Sequence, residues 1–221
     1  MRIGRILVVA TMLVVLATSA SVLATDSEAA KEALKKGSWS LQFGVSQNFT
    51  LTQFEGATIS VKRHYSPNSA LRAGITTNLS HNIQRSSQSS KELNVDKFNT
   101  NVSLEYLYYF TPGRRVTAFI GSGPYLGFAR NTTEEIPRVS ISSSSNWSKY
   151  TEWDLGANLL LGAEWFVTHG IALFAEYDIS VGYTSKVNKT SNSTYGMTGR
   201  TELYDLSLTS RGVRMGLSVY L

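Results

Sequence analysis

The 221-residue sequence contains no cysteine and only four prolines. The absence of cysteine excludes disulfide bonds and any zinc site with thiolate ligands. Charged residues are also sparse, at 17%, whereas glycine occurs 17 times. This composition favours an ordered, strand-rich domain over a disordered chain.

Only one stretch of the chain is strongly apolar, and it lies at the N-terminus. Arg2 and Arg5 precede the apolar run 6–16, and Val-Leu-Ala at 22–24 has the small-residue pattern of a cleavage site. Residues 1–24 are therefore predicted to be a secretory signal peptide. The alternative, a membrane anchor, is disfavoured because the run is short and no basic stop-transfer segment follows it. Without the two arginines the formal charge falls from +5 to +3, so charge gives no reason to expect a nucleic-acid partner.

After this leader, no run reaches the roughly 18 apolar residues that a transmembrane helix needs. The chain instead alternates between apolar and polar residues, most clearly at 155–183, where two alternating runs flank a turn at 167–170. Successive side chains of a strand point to opposite faces, so this stretch predicts a hairpin with one apolar face. Each arm is longer than the roughly nine to eleven residues with which a tilted strand crosses a bilayer.

The same alternation predicts eight strands in all. They cover approximately residues 39–47, 57–64, 71–79, 98–110, 116–128, 155–166, 171–183 and 204–221. The connections after the second, fourth and sixth strands are short, whereas the polar stretches 81–96, 131–150 and 184–199 are predicted to be long loops. Short turns at one end and long loops at the other are typical of an outer-membrane barrel. A register break is expected near 209–211, where the apolar positions change parity.

Residues 25–37 are predicted to form a periplasmic tether or short helix, and residues 38–221 to form the barrel domain. Asp26 or Ser27 suits the first position of such a helix, and Lys35 and Lys36 suit its end. We expect this segment to be a spacer with no chemistry of its own. The predicted fold is all-β: an eight-stranded antiparallel up-and-down transmembrane β-barrel with a short N-terminal helical or disordered tether.

Alternation alone does not say which face of the barrel lies inside, and a soluble barrel would bury the apolar face. The strand length and the placement of aromatic residues favour the inverted, membrane-spanning arrangement, because such barrels carry one aromatic belt at each interface. The predicted belt residues are Trp39, Tyr65, Tyr108, Phe110 and Trp165 near the short turns, and Phe98, Phe128, Trp153 and Tyr183 near the long loops.

The polar face carries charges of both signs, and buried charges need partners. We therefore expect a charge network in the barrel interior, formed by Lys62, Arg72, Glu105, Asp154, Glu164, Glu176, Asp178 and Arg214. Paired carboxylates could also indicate acid–base catalysis or a metal site, but the pairing requirement favours the network. Large inward side chains argue further against a wide aqueous pore; they are Phe119, Tyr125, Phe174 and Tyr220.

Several local motifs carry a resemblance to a known family. They are the leader, Gly-Ala-Glu-Trp-Phe at 162–166, Leu-Phe-Ala-Glu-Tyr at 173–177, and the alternating strand that ends the chain. Over residues 38–221 the chain resembles the outer-membrane β-barrel superfamily of Gram-negative bacteria, the small OmpA/OmpX-like "porin family" barrels. In that family the last strand is the signal read by the barrel-assembly machinery, and it usually ends in Phe or Trp. The corresponding residues here are Leu217, Val219, Tyr220 and Leu221.

The resemblance implies a location in the cell outer membrane, contact with outer-membrane lipid and lipopolysaccharide, and the barrel-assembly machinery as a partner during biogenesis. We expect a monomer with no nucleic-acid partner, no cofactor and no metal. The predicted function is a non-enzymatic structural or surface-interaction role through the polar loops. A narrow channel for small or apolar solutes is the alternative. An enzyme that modifies lipid A is a third hypothesis, for which His81 after Ser80 is the best catalytic candidate, although no spacing here reproduces a Ser/His/Asp set.

Overall fold

The computed structural model describes residues 27–46, 56–85, 91–137, 146–192 and 197–221. The predicted signal peptide lies outside these residues. The elements in chain order are α1 (Glu28–Ala33), β1 (Trp39–Ser46), β2 (Ala57–Ser66), β3 (Ser69–Arg85), β4 (Lys91–Tyr109), β5 (Val116–Pro137), β6 (Asn146–Phe166), β7 (Ile171–Asn192) and β8 (Met197–Tyr220). In the part of the chain that is described, no helix has the length and apolarity to cross a membrane.

Each strand pairs antiparallel with its neighbours in sequence, and β1 also pairs with β8. The sheet therefore closes into a ring, so that no strand edge is left unpaired around the closed part of the wall. The predicted eight-stranded up-and-down antiparallel β-barrel is confirmed.

Around the middle of the barrel, apolar side chains point outward and polar side chains point inward. In β6, Leu155 and Leu159 are exposed at 61% and 50%, whereas Asn158 retains only 3%. On β2 and β3, Lys62 and Arg72 are almost completely buried. Proteins that fold in water show the reverse distribution, because Lys and Arg are almost never fully buried there. The structure thus places the apolar set of these alternating strands on the exterior, as the inverted arrangement requires.

The two ends of the barrel differ in their connections. The short turns between β2 and β3, β4 and β5, and β6 and β7 all lie at one end, as predicted, and we call this the turn end. The last of these turns is closed by backbone hydrogen bonds in which the N–H groups of Val167 and Thr168 donate to the Ile171 carbonyl. We call the opposite end the far end.

The prediction of long loops at 81–96, 131–150 and 184–199 is wrong for most of their length. The strands continue into these stretches, β3 to Arg85, β4 from Lys91, β5 to Pro137, β6 from Asn146, β7 to Asn192 and β8 from Met197. The middle of each predicted loop lies outside the described residues. Both faces of these extensions are mainly polar, with only scattered apolar residues such as Ile83, Trp147 and Leu203. The period-two contrast by which a half-buried strand is recognised is therefore too weak in the sequence. Backbone pairing between neighbouring strands does not need that contrast.

The predicted register break in the last strand is confirmed. Asp178 pairs with Gly212, but the next residue, Ile179, pairs with Ser210, so β8 contains one extra residue. Gly212 has φ +85°, in the left-handed region that favours glycine. The bulge explains why the outward-facing residues change parity along β8, from Tyr204, Leu206 and Leu208 to Val213 and Met215.

The seam between β1 and β8 brings two backbones unusually close. A Cβ atom placed on Gly216 would lie 2.0 Å from the carbonyl oxygen of Phe43, whereas a Cβ on Gly170 would meet the Tyr220 carbonyl oxygen at 3.6 Å. The first distance is a severe clash with backbone, and the second is an ordinary van der Waals contact. Closure of the ring therefore requires glycine at position 216.

We expect Gly216→Ala to lower the free energy of unfolding by about 1–3 kcal/mol, because the added methyl group pushes β1 and β8 apart. Urea titration in phospholipid vesicles, read out by heat-dependent gel mobility, measures this change. Gly170→Ala, beside the end of β8, is the matched control and should leave the unfolding curve unchanged. Equal stability of the two variants would contradict the close approach at the seam.

Candidate functional site: the barrel interior and its ends

Helix α1 packs into the turn end of the barrel as a plug. Ala30, Ala33 and Leu34 are buried in one apolar cluster with inward-facing residues of the wall, namely Ala70, Leu107, Tyr109, Phe119, Leu160, Phe166, Ala172 and Tyr220. A helix of six residues is too short to be stable alone, so this packing is what stabilises it. The segment predicted to be a spacer thus covers the barrel mouth.

Hydrogen bonds hold both ends of the plug. The Ser27 N–H donates to the Gly113 carbonyl over 2.9 Å, and the Gly37 N–H donates to the His64 carbonyl over 2.8 Å. The Ser38 hydroxyl donates to the carbonyl oxygens of Ala33 and Lys35, at 2.6 and 2.8 Å. These bonds satisfy carbonyls that a helix C-terminus leaves without intrahelical partners. Ser27 occupies the N-cap position, as expected, but its side chain makes no capping hydrogen bond.

The first charged layer next to the plug is centred on Lys62. Its ammonium donates to Glu164 Oε2 at 2.8 Å, to the Tyr109 hydroxyl at 2.9 Å and to the Tyr220 hydroxyl at 2.7 Å. The Lys62 and Glu164 side chains are both completely buried. An ammonium carries three hydrogens, so these three acceptors satisfy it fully. The sequence predicted that Lys62 and Glu164 belong to one interior charge network, but it indicated neither their direct pairing nor the two tyrosines.

The second charged layer is centred on Arg72. Its Nε donates to Glu105 Oε2 over 2.6 Å, and its Nη1 donates to Glu176 Oε2 over 2.8 Å. Arg214 approaches Glu176 from the other side, with Nε 2.5 Å from Oε1. Gln42 links this layer to β8, because its amide nitrogen donates to the Ser218 hydroxyl at 2.8 Å.

The two ion pairs cross the lumen. Lys62 lies on β2 and Glu164 on β6, while Arg72 lies on β3 and Glu176 on β7. In a ring of eight strands, β2 faces β6 and β3 faces β7. Within these two layers three cations, Lys62, Arg72 and Arg214, balance three carboxylates, Glu105, Glu164 and Glu176. Two of the pairs connect opposite walls through the axis of the barrel.

Two of the predicted network residues, Asp154 and Asp178, lie nearer the far end. There the interior widens into a cavity of about 520 Å³, lined mainly by Asn, Ser, Thr and acidic side chains, with Arg214 among the lining residues. The Asp154 carboxylate accepts hydrogen bonds from the Tyr125 hydroxyl at 3.0 Å and from the Thr184 hydroxyl at 3.3 Å. Further out, partial burial and contact with the Glu152 carboxylate raise the pKa of Tyr150.

His64 and His81 lie in different environments. His64 is buried beside the plug, with its ring 5.2 Å from that of Tyr109. His81 lies on the exterior of the β3 extension, where its Nδ1 contacts the Asp96 carboxylate, and both side chains are exposed. Ser80 is the neighbouring strand residue, so its side chain points to the opposite, inner face. The structure thus pairs His81 with an acid but separates it from the candidate serine.

All nine predicted belt residues lie on the exterior, in two groups. At the turn end Trp39, Tyr65, Tyr108, Phe110 and Trp165 are exposed, and the Arg63 guanidinium lies over the rings of Trp39 and Tyr65 at 5.1 and 5.6 Å. Towards the far end Phe128 contacts Phe98 and Trp153, with ring centroids 6.1 and 4.7 Å apart. Tyr183 stacks on Tyr204, a residue outside the predicted belts.

The C-terminal residues lie at the seam. Tyr220 points inward to Lys62, while the Leu221 N–H donates to the Trp39 carbonyl over 2.9 Å. Leu217 and Val219 pair with Phe43 and Leu41 of β1. Recognition of these residues by the assembly machinery stays a prediction.

A closed eight-stranded barrel with a charged interior and an apolar, aromatic-belted exterior defines the class: the fold is that of outer-membrane β-barrel proteins. A major outer membrane protein from Thermus thermophilus is similar in structure, with a TM-score of 0.53 and 12% identity over 84% of this chain and 99% of that one. At this identity the likeness concerns the fold alone.

Two further solved structures are matched over 84% of this chain. The N-terminal β-barrel domain of Pseudomonas aeruginosa OprF is covered over 98% of its length, with 13% identity and a TM-score of 0.36. Ail, the attachment invasion locus protein of Yersinia pestis, is covered over 99%, with 9% identity and a TM-score of 0.41. No protein-family model matches the chain, and no curated protein matches it in sequence.

Substitution at the first charged layer tests whether its groups act as a pair. We expect Lys62→Met and Glu164→Leu each to lower the free energy of unfolding by about 3–5 kcal/mol, since each leaves one buried charge without its partner. The double variant should recover most of that loss, because no unpaired charge remains. Urea titrations of the four proteins give the coupling free energy. Additive losses would contradict the lumen-crossing pair.

Substitution at the plug tests whether α1 holds to the barrel through its apolar face. Leu34→Ala removes buried contacts, and we expect residues 27–37 to become accessible to protease from the turn end while the barrel itself keeps its heat-dependent gel mobility. Limited proteolysis of the protein in detergent, followed by mass spectrometry, detects the cleavage. Lys36→Ala, at an exposed position beside it, is the control. Identical cleavage of Leu34→Ala and the wild type would contradict the plug.

Proposed function

We propose that the protein is an integral outer-membrane protein with a plugged barrel and a non-enzymatic structural or surface-interaction role. The observation that carries this proposal is that two ion pairs cross the lumen. They join Lys62 to Glu164 and Arg72 to Glu176. The interior of an eight-stranded barrel is just wide enough for side chains to fill it. These four side chains therefore occupy the axis of the barrel. Helix α1 adds a second closure at one end.

The asymmetry of the barrel supports one orientation. Outer-membrane barrels keep their short turns in the periplasm and their longer connections outside. The turn end, with α1, would then face the periplasm, which agrees with an N-terminus left there after cleavage of a leader. The two exterior aromatic groups would lie at the two membrane interfaces.

The length of the strands supports the surface role. Strands β3 to β8 have 17 to 24 residues, against 8 in β1 and 10 in β2. A tilted strand needs only about nine to eleven residues to cross the hydrocarbon core. The remaining residues of these six strands would project beyond the outer interface as a polar, curved sheet. Such a sheet, in place of the loops predicted from the sequence, offers a broad exposed face to other molecules.

The enzyme hypothesis has less support. A lipid A hydrolase of the Ser/His type needs the hydroxyl within hydrogen-bonding reach of the imidazole. Here Ser80 and His81 point to opposite faces of β3. Mass spectra of lipid A from cells with the protein and with its His81→Ala variant provide the check, and a lipid A change that depends on His81 would overturn the non-enzymatic proposal.

Planar-bilayer conductance separates the plugged barrel from the narrow channel, which the cavity at the far end would favour. We expect the wild-type protein to give no reproducible conductance steps. The variant Glu164→Ala/Glu176→Ala, which truncates the carboxylates of both lumen-crossing pairs, should give more frequent openings, because the axis is no longer bridged. A matched variant, Glu28→Ala/Glu32→Ala on the exposed side of α1, should behave like the wild type.

Steps of reproducible, solute-dependent size in the wild type would contradict the plugged barrel and favour the channel. Membrane location is checked separately, by fractionation of cell envelopes and by heat-dependent gel mobility. A protein recovered in the soluble fraction would contradict the proposal as a whole.

A further inference from the structure

The exterior of the β6–β8 extension carries three cations in direct cross-strand register. Lys149 on β6 lies opposite Lys189 on β7, and Lys189 lies opposite Arg200 on β8. We call these three residues the basic row. They share strand parity with Trp153, Tyr183 and Tyr204, respectively, so all three side chains emerge on the outer face of the wall.

The basic row has too few anions of its own. Residues directly opposite one another on one face of a sheet have Cβ atoms only about 4.5–5.5 Å apart, and like charges placed so are destabilising. Arg200 is paired with Glu202, two residues along the same face. Within the described residues, Lys149 and Lys189 have no ion-pair partner. On the same face of the neighbouring strand β5 lie one further cation, Arg130, and one acid, Glu134, opposite Thr151 and Trp147. Cations therefore outnumber acids around the row by four to two.

The distance between the basic row and the far-end aromatic residues determines which molecules can contact the row. Lys149 lies four residues beyond Trp153 along β6, and tilted strands rise by about 2.5 Å per residue along the barrel axis. The lysine ammonium groups are therefore on the order of 10 Å beyond the aromatic level, and their long side chains can bend back towards it. That is the level of the headgroups of surrounding lipids, if the aromatic group marks the membrane interface.

These observations point to one occupant. We infer that the basic row binds the phosphate groups of an anionic outer-leaflet lipid, which lies against the exterior of β6–β8 with its acyl chains below the Trp153 and Tyr183 rings. Phosphate oxygens supply the negatively charged partners that Lys149 and Lys189 lack, while the apolar wall beneath the row packs against the acyl chains of the lipid. This inference depends on the proposed membrane location, because only a lipid bilayer places headgroups at that height.

Native mass spectrometry of the detergent-solubilised protein tests the inference, with bisphosphorylated lipid A as probe and phosphatidylcholine as the zwitterionic comparison. We expect the wild type to retain lipid A in preference to phosphatidylcholine. In Lys149→Gln/Lys189→Gln the apparent affinity for lipid A should fall on the order of 25-fold, at about fivefold per basic residue near an anionic lipid surface. Affinity for phosphatidylcholine should not change.

The control variant is Arg114→Gln/Arg115→Gln, which removes the same charge from two exposed residues at the turn end. It should bind lipid A as the wild type does. An equal loss of affinity in the two variants would reduce the effect to net charge and overturn the site. Displacement of lipid A by millimolar inorganic phosphate would also overturn it, since the row would then be a site for a free ion.

A stability measurement guards against variants that fold poorly. In phosphatidylcholine vesicles Lys149→Gln/Lys189→Gln should be at least as stable as the wild type, because it relieves a like-charge contact. With lipid A present, the wild type should become the more stable of the two, since a ligand stabilises only the protein that binds it. Absence of this reversal in a variant with normal heat-dependent mobility would overturn the inference. Failure of the whole membrane assignment would show differently, as a wild-type protein that does not enter vesicles.

Discussion

The pairing of buried charges inside a closed ring is the constraint on which the rest of this structure depends. Outward-facing positions are apolar, so the polar half of each alternating strand has to lie inside. A charge can be buried only with a partner of opposite sign and with its remaining hydrogen bonds satisfied. Lys62 meets that condition through Glu164 and two tyrosine hydroxyls. Arg72 has two partners of opposite sign, Glu105 and Glu176, although its Nη2 makes no hydrogen bond within the described residues. Glu164 and Glu176 come from strands on the opposite side of the ring. The ion pairs that offset the cost of burying Lys62 and Arg72 therefore also fill the barrel axis.

The ends of the barrel follow from the same requirement. At the turn end the interior becomes apolar around Leu107, Phe119 and Phe166, and α1 buries this cluster. At the far end the wall continues as strands with mainly polar side chains on both faces, where water can form hydrogen bonds with them. There the interior opens into a cavity instead of closing on a further charge layer. Ion pairs thus bridge the middle of the barrel and α1 packs into the turn end, while mainly polar strands extend at the far end.

Much of the barrel could be predicted from the sequence, because a half-buried strand alternates between apolar and polar residues. The hairpin of β6 and β7, the short turns and the bulge in β8 all leave that signal. The far-end extensions of β3 to β8 lack this alternation, since a sequence with mainly polar residues on both faces is typical of a loop. The packing of α1 could not be predicted, because a helix of six residues rich in Ala and charge has no clear apolar face in the sequence. The partners of Glu164 depended on which strands face each other across the ring, and alternation within a strand carries no information on that. The pairing of His81 with Asp96 likewise came from the register of β3 and β4.

The central claim is the inverted barrel, with its odd-numbered β6 residues facing lipid and its even-numbered ones facing a filled interior. Because the chain has no cysteine, single cysteines placed from 155 to 165 can each carry a nitroxide label without background. Electron paramagnetic resonance in vesicles then measures collision of the label with oxygen, which concentrates in lipid, and with a water-soluble nickel chelate. The account predicts oxygen maxima at the odd positions, with low collision with both reagents at the even ones. Oxygen maxima at even positions, or no period of two, would contradict it.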